Sequence, residues 1–176
     1  IEENFGGLIL AFILAIILVY IILGIQFESF LLPFVIILSI PLALIGVIWG
    51  LLITGISINL MSLIGTVVLV GIVVNDSILK LDTIKRLRSQ GYDLLTAVKM
   101  GGSQRFRPII MTSLTTIFGL LPLAIGLGTG AELTRPLAIA IITGLIASTL
   151  LTLFIIPVIY VLIEKRKESA TNKHEQ

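Results

Sequence analysis

Hydrophobic positions in this chain come in long unbroken runs, broken by short polar clusters. Five runs are long enough to cross a bilayer, at about 5–25, 31–53, 60–81, 108–125 and 136–163. A hydrocarbon core of roughly 30 Å takes about 20 apolar residues in a helix. Helices satisfy their own backbone hydrogen bonds in lipid, so the runs predict an all-α fold, a polytopic membrane bundle of five transmembrane helices. A membrane barrel would need alternating apolar and polar residues, which these runs lack.

Composition agrees. Of 176 residues, 57% are hydrophobic and 12% charged, against about half and about a quarter in soluble domains. The domain reading is a helix bundle over 1–163 and a polar tail over 164–176, expected to be cytoplasmic and disordered. Without cysteine, disulfides and thiolate metal sites are excluded, and the one histidine, His174, lies in that tail. No enzyme activity, metal site or nucleic-acid partner is expected. The chain begins at Ile1 without an initiator Met, which predicts that it is a piece of a longer polypeptide.

The distribution of charge gives the orientation. Lys80, Lys85, Arg86, Arg88, Lys99, Arg105 and Arg107 cluster near the connection between spans three and four, and Lys165, Arg166, Lys167 and Lys173 follow span five. Two spans separate these regions, so both lie on one side, and the positive-inside rule makes it cytoplasmic. The connections on the other side carry a single basic residue, Arg135. Residue 1 is then on the outer side. Within the connection at about 82–107, "GYDLLTAVKMGG" predicts a short amphipathic surface helix stopped by Gly101–Gly102. A solvated basic loop is the alternative.

Polar residues inside the runs carry the candidate chemistry. Asn75 and Asp76 stand together in "VLVGIVVNDSILKLDTIKR", and Ser62, Thr66, Leu69, Val73, Asp76 and Lys80 share one helical face. A carboxylate at such a depth costs about 2.5–3.5 kcal/mol, so it should face protein or water. Burial and a neighbouring cation act on its proton affinity in opposite senses, which lets a carboxyl load and release protons. The blander alternatives are neutralisation by Lys80 at i+4, or snorkelling to the surface. On span four, Arg105 and Thr112 share a face, with Thr116 one turn on, and Pro108 suits a helix start. Thr112, Ser113, Thr115 and Thr116 also suit plain helix–helix bonding, and Gly46, Gly50, Gly65, Gly71, Gly119 and Gly144 suit close helix approach.

The segments "QFESFLLPFVIILSIPLALIG", "VGIVVNDSIL", "RFRPIIMTSLTTIFGLLPLAIG" and "FIIPVIYVLIEK" resemble the resistance–nodulation–division efflux transporters, in order and over nearly the whole chain. The resemblance places the five spans as the last five of that family's twelve. It implies proton-driven export of drugs or other hydrophobic or toxic compounds across a bacterial inner membrane, with protons as coupling ion and no cofactor. The implied partners are the rest of the same polypeptide (first-half helices and a periplasmic domain), a homotrimer, a periplasmic adaptor, an outer-membrane channel and the lipid bilayer. The family's proton relay falls here on Asn75 and Asp76 in the third span and on Arg105 and Thr112 in the fourth. In well-known drug exporters a lysine followed by asparagine stands where this chain has Asn75 and Asp76. Lys80, one turn below, is a candidate for the missing cation. The rival readings are a membrane scaffold, in which Asp76 pairs permanently with Lys80, and a protein-export accessory subunit of the same fold.

Overall fold

The computed structural model describes residues 2–27, 31–128 and 130–172. Its helices are α1 (Glu2–Phe27), α2 (Leu31–Ile37), α3 (Ser39–Thr54), α4 (Leu60–Ser89), α5 (Leu94–Ile125) and α6 (Ala131–Asn172), with no strand among the described residues. α2 and α3 are two parts of one span, Leu32–Thr54, so the described residues form a bundle of five helices. The break has a local cause. Pro41 cannot donate to the carbonyl four residues back, and Ser39 Oγ donates to the Ile36 carbonyl at 2.5 Å instead.

Two ends are written plainly in the sequence. At Asn59 the side chain accepts from the Ser62 N–H, and the Ser62 hydroxyl accepts from the Asn59 N–H, both at 2.9 Å. This reciprocal capping box starts α4. Gly55 ends α3 at φ 67°, and the Gly55 and Ile56 N–H groups close back on Leu52 and Leu51 at 3.2 and 3.0 Å. A left-handed turn of this kind suits glycine, which has no Cβ to strain.

α6 sits at the centre and packs against α3, α4 and α5, while α1 lies outside against α2 and α4. One apolar core joins Ala43, Val47, Leu69, Val73, Ile139 and Leu145, and a second joins Leu23, Phe27, Ile36, Leu81, Ile84, Leu87 and Ile156. Small residues set the spacing. A Cβ at Gly46 would meet Ala147 and the Thr143 carbonyl, one at Gly50 the Thr143 side chain, one at Gly65 the Leu137 backbone, and one at Gly144 Leu69 and Val47. Such contacts replace the hydrophobic driving force that lipid removes between membrane helices. Gly71 and Gly119, also read as packing positions, face open space.

The helices outrun the predicted spans at the basic end. α4 continues past Leu81 to Ser89, and α5 starts at Leu94, so the surface helix and the fourth span are one helix of 32 residues, about 48 Å long. Gly101–Gly102 does not stop it. Leu94, Ala97 and Gly101 are buried, and Gly101 lies so close to Ile84 of α4 that a Cβ would sit 2.8 Å from its Cγ1. Packing there outweighs the ~1 kcal/mol that each glycine costs a helix. Pro108, expected at a helix start, lies inside α5. At the other end of the chain, residues 164–172 continue α6 where composition predicted disorder. Elongating an existing helix through Glu, Lys, Arg and Ala needs no new nucleus. Residues 173–176, with Lys173 and His174, lie outside the described residues.

Candidate functional site

α4 brings a carboxylate, an amide and an ammonium into the bundle within six residues, and its helical turn distributes them over two faces. Asn75 is exposed and lines an apolar groove of about 250 Å³ between α1 and α4, beside Phe12, Ile16, Val19, Gly71 and Ile78. Asp76, some 100° further round the helix, is half-buried. The two neighbours in sequence therefore serve different surroundings.

Lys80 is only 4% exposed. Its Nζ donates to Thr152 Oγ1 of α6 at 3.0 Å, across 72 residues of chain. With Asp76, one turn away on the same helix, the ammonium interacts through space. Thr152 is itself 3% exposed, and its hydroxyl donates to the Ser148 carbonyl at 2.7 Å. The proton of that hydroxyl is thus committed along α6, and only its lone pairs face the ammonium.

Arg105 repeats the arrangement from α5. Its Nε donates to Thr83 Oγ1 of α4 at 2.6 Å, and the Thr83 hydroxyl donates to the Leu79 carbonyl at 2.8 Å. One layer away, Ser113 of α5 and Thr149 of α6 are joined at 3.0 Å, and Ser77 bonds the Val73 carbonyl at 2.9 Å. Two cations thus rest on neutral hydroxyls where α4 packs on α6 and on α5, and one carboxylate, Asp76, stands beside the first of them, Lys80. Thr112 is not part of this arrangement. Its hydroxyl bonds the Ile109 carbonyl at 2.9 Å within α5, and the residue is exposed.

Of the residues singled out from sequence, Lys80 reaches α6 through Thr152 with Asp76 beside it, Arg105 of α5 reaches α4 through Thr83, and Asn75 and Thr112 lie on open faces. Thr83, Ser148, Thr149 and Thr152 were missed. The signal lay in "ASTLLT", where Ser148, Thr149 and Thr152 interrupt an apolar run at near-helical spacing. Hydroxyls are cheap in membrane helices because they bond their own i−4 carbonyl, so this pattern does not stand out. Among the described residues no three His, Cys, Asp or Glu side chains gather into a metal site.

Known proteins share this architecture. A sequence profile of the AcrB/AcrD/AcrF family matches residues 2–164. The swarming motility protein SwrC of Bacillus subtilis (strain 168) is 38% identical over 177 residues, covering 100% of this chain and 17% of that protein. Two crystal forms of a heavy metal efflux pump superpose with TM-scores of 0.78 and 0.74, at 32% and 33% identity, over 86% of this chain and 15% of the pump. The chain thus spans about a sixth of the length of these relatives. With the family profile matched over nearly all of its length, and its helices laid out as in the pump, the chain belongs to the AcrB/AcrD/AcrF family of resistance–nodulation–division transporters, as part of a transmembrane domain.

Proposed function

We propose that this chain is part of a substrate/proton antiporter that exports drugs or other hydrophobic or toxic compounds, and that it carries the second-half share of the intramembrane proton relay. The observation that carries the reading is the carboxyl of Asp76 inside the bundle beside Lys80, whose ammonium is held on Thr152, with a second cation, Arg105, held on Thr83 of the same helix. Charges inside a membrane bundle cost about 2.5–3.5 kcal/mol each, and they are found where ions or substrates move. A scaffold built on a permanent Asp76–Lys80 pair accounts less well for an ammonium whose hydrogen bond goes to a different helix.

Asp76 is the proton-binding group of this half, and Lys80 and Arg105 answer its charge. Asn75 and Thr112, on open faces here, meet the first-half helices of the whole polypeptide. The reading needs protons and no cofactor. Its partners are the rest of the same polypeptide, two further copies in a homotrimer, a periplasmic adaptor and an outer-membrane channel. Transport takes place in the bacterial inner membrane, with the α4–α5 hairpin on the cytoplasmic side, and conformational change is rocking of one repeat against the other.

Reconstitution tests it. The full-length protein in liposomes, given an imposed pH gradient, should move ethidium or Zn²⁺ (the latter because the similar solved structure is of a heavy metal efflux pump) and release protons in step. A movement that persists at equal rate with the gradient collapsed would rule out antiport.

A further inference from the structure

We infer that Thr152 is a positioning residue of the relay: its hydroxyl holds the Lys80 ammonium off Asp76 while the carboxyl carries a proton, and yields it when the proton leaves. The inference rests on the antiport reading above and adds to it a role for the last helix, α6.

Three observations carry it. First, the Lys80–Thr152 bond joins two deeply buried residues, 4% and 3% exposed, at 3.0 Å. Second, the Thr152 hydroxyl gives its proton to the Ser148 carbonyl at 2.7 Å, so towards Lys80 it can only accept. The ammonium is thereby bonded without being neutralised. Third, residues four apart on a helix have Cβ atoms about 5–6 Å apart, which puts the Asp76 carboxylate within the sweep of the lysine stem. Two resting places are therefore available to one cation: a neutral hydroxyl on α6 and a carboxylate on its own helix.

Which place is preferred follows from charge. A protonated Asp76 offers only a neutral partner, and a membrane-buried ammonium keeps the Thr152 lone pair. An ionised Asp76 offers a full charge in a low-dielectric interior, where a charge pair is worth more than a hydrogen bond to a neutral acceptor. Among the described residues, Arg105 of α5 is itself committed to Thr83 at 2.6 Å, Asp82 and Lys85 of α4 and Lys99 and Arg107 of α5 are exposed, α1 is charged only at Glu2 and Glu3, and α2, α3 and residues 136–163 of α6 contain no charged residue. Tyr160 of α6 can titrate, but it lies two turns beyond Thr152, among Arg88 and Glu164. Moving Lys80 away from α6 breaks a bond between helices, so the charge of Asp76 becomes coupled to the packing of α6 on α4. The same construction at Thr83 and Arg105 shows that the hydroxyl-held cation is a repeated device in this bundle.

The test uses membranes containing the full-length protein and a hydrophobic carbodiimide, which reacts with protonated carboxyls, with labelling of Asp76 read by mass spectrometry across pH. Thr152→Val removes the acceptor while keeping the shape, and Thr152→Ser keeps it. Without the hydroxyl, Lys80 turns to Asp76 and holds it ionised. Labelling in Thr152→Val should fall on the order of tenfold, the size expected for a hydrogen bond to a charged group. Thr152→Ser should label as the wild type does, and in a Lys80→Met background the Thr152→Val substitution should leave labelling unchanged. Equal labelling of wild type and Thr152→Val overturns the inference, and so does a drop that persists in the Lys80→Met background. Ethidium efflux from the same cells separates the two levels. Proton-independent efflux would sink the antiport reading, whereas normal proton-coupled efflux with unchanged labelling in Thr152→Val would sink the role of Thr152 alone.

Discussion

Lys80→Met should abolish transport and leave the fold intact or slightly firmer. The magnitudes come from the site. Lys80 is 4% exposed, and Met keeps most of the aliphatic stem that packs there while removing the ammonium. The bond to Thr152 is lost, a contribution of about 1.5–3 kcal/mol for a charged donor. No buried partner is orphaned, because the Thr152 hydroxyl keeps its own bond to the Ser148 carbonyl at 2.7 Å. The desolvation cost of a buried cation, several kcal/mol, disappears at the same time. Asp76, coupled to Lys80 through space, loses its counter-cation but is neutral when it carries its proton, so no unpaired buried charge need remain. Thermal unfolding of the detergent-solubilised full-length protein should therefore show a midpoint equal to or above that of wild type. Uncoupler-sensitive ethidium efflux from cells making the variant should be lost. A variant that exports normally would refute the reasoning at its functional step, and one that unfolds several degrees early would refute it at its energetic step.

Two further predictions concern packing and orientation. Gly101→Ala should destabilise the full-length protein by about 1–3 kcal/mol, since its Cβ would sit 2.8 Å from Ile84 Cγ1, whereas the adjacent Gly102→Ala, with open space around it, should stabilise by up to about 1 kcal/mol. Comparing the two unfolding midpoints checks both signs at once, and equal shifts would contradict the close contact of α5 on α4. Single cysteines at Tyr92 and Leu127 should label with an impermeant maleimide from opposite sides, Leu127→Cys in intact cells and Tyr92→Cys only after permeabilisation. The reverse pattern would invert the proposed orientation.

The helices were legible because lipid imposes a constraint that sequence cannot hide, the long apolar run, and among the described residues four helices are long and apolar enough to cross a membrane. Helix ends with side-chain or glycine chemistry, such as Asn59–Ser62 and Gly55, were legible for a similar local reason. The continuity of α5 was not. Gly101–Gly102 reads as a stop, and only the proximity of Ile84, on the neighbouring helix, shows why the helix continues. At the site, the charged residues stood out because charges are expensive in a membrane, and Asp76 and Lys80 do stand one turn apart within the bundle. Their resting partners were hidden. Thr152 and Thr83 look like any membrane hydroxyl until the fold brings a cation to them, since residue spacing on one helix says nothing about what another helix presents. Likewise, the adjacency of Asn75 and Asp76 suggested a pair, and helical geometry parted them.

In the proposed antiporter Asp76 carries the proton of this half of the relay. Dye efflux from cells bearing the full-length protein tests it most directly, comparing wild type with Asp76→Asn, each with and without an uncoupler. Uncoupler-sensitive efflux is expected in the wild type, and a folded, membrane-inserted Asp76→Asn protein without efflux. Normal uncoupler-sensitive efflux from Asp76→Asn would contradict it and leave Asp76 as a structural charge.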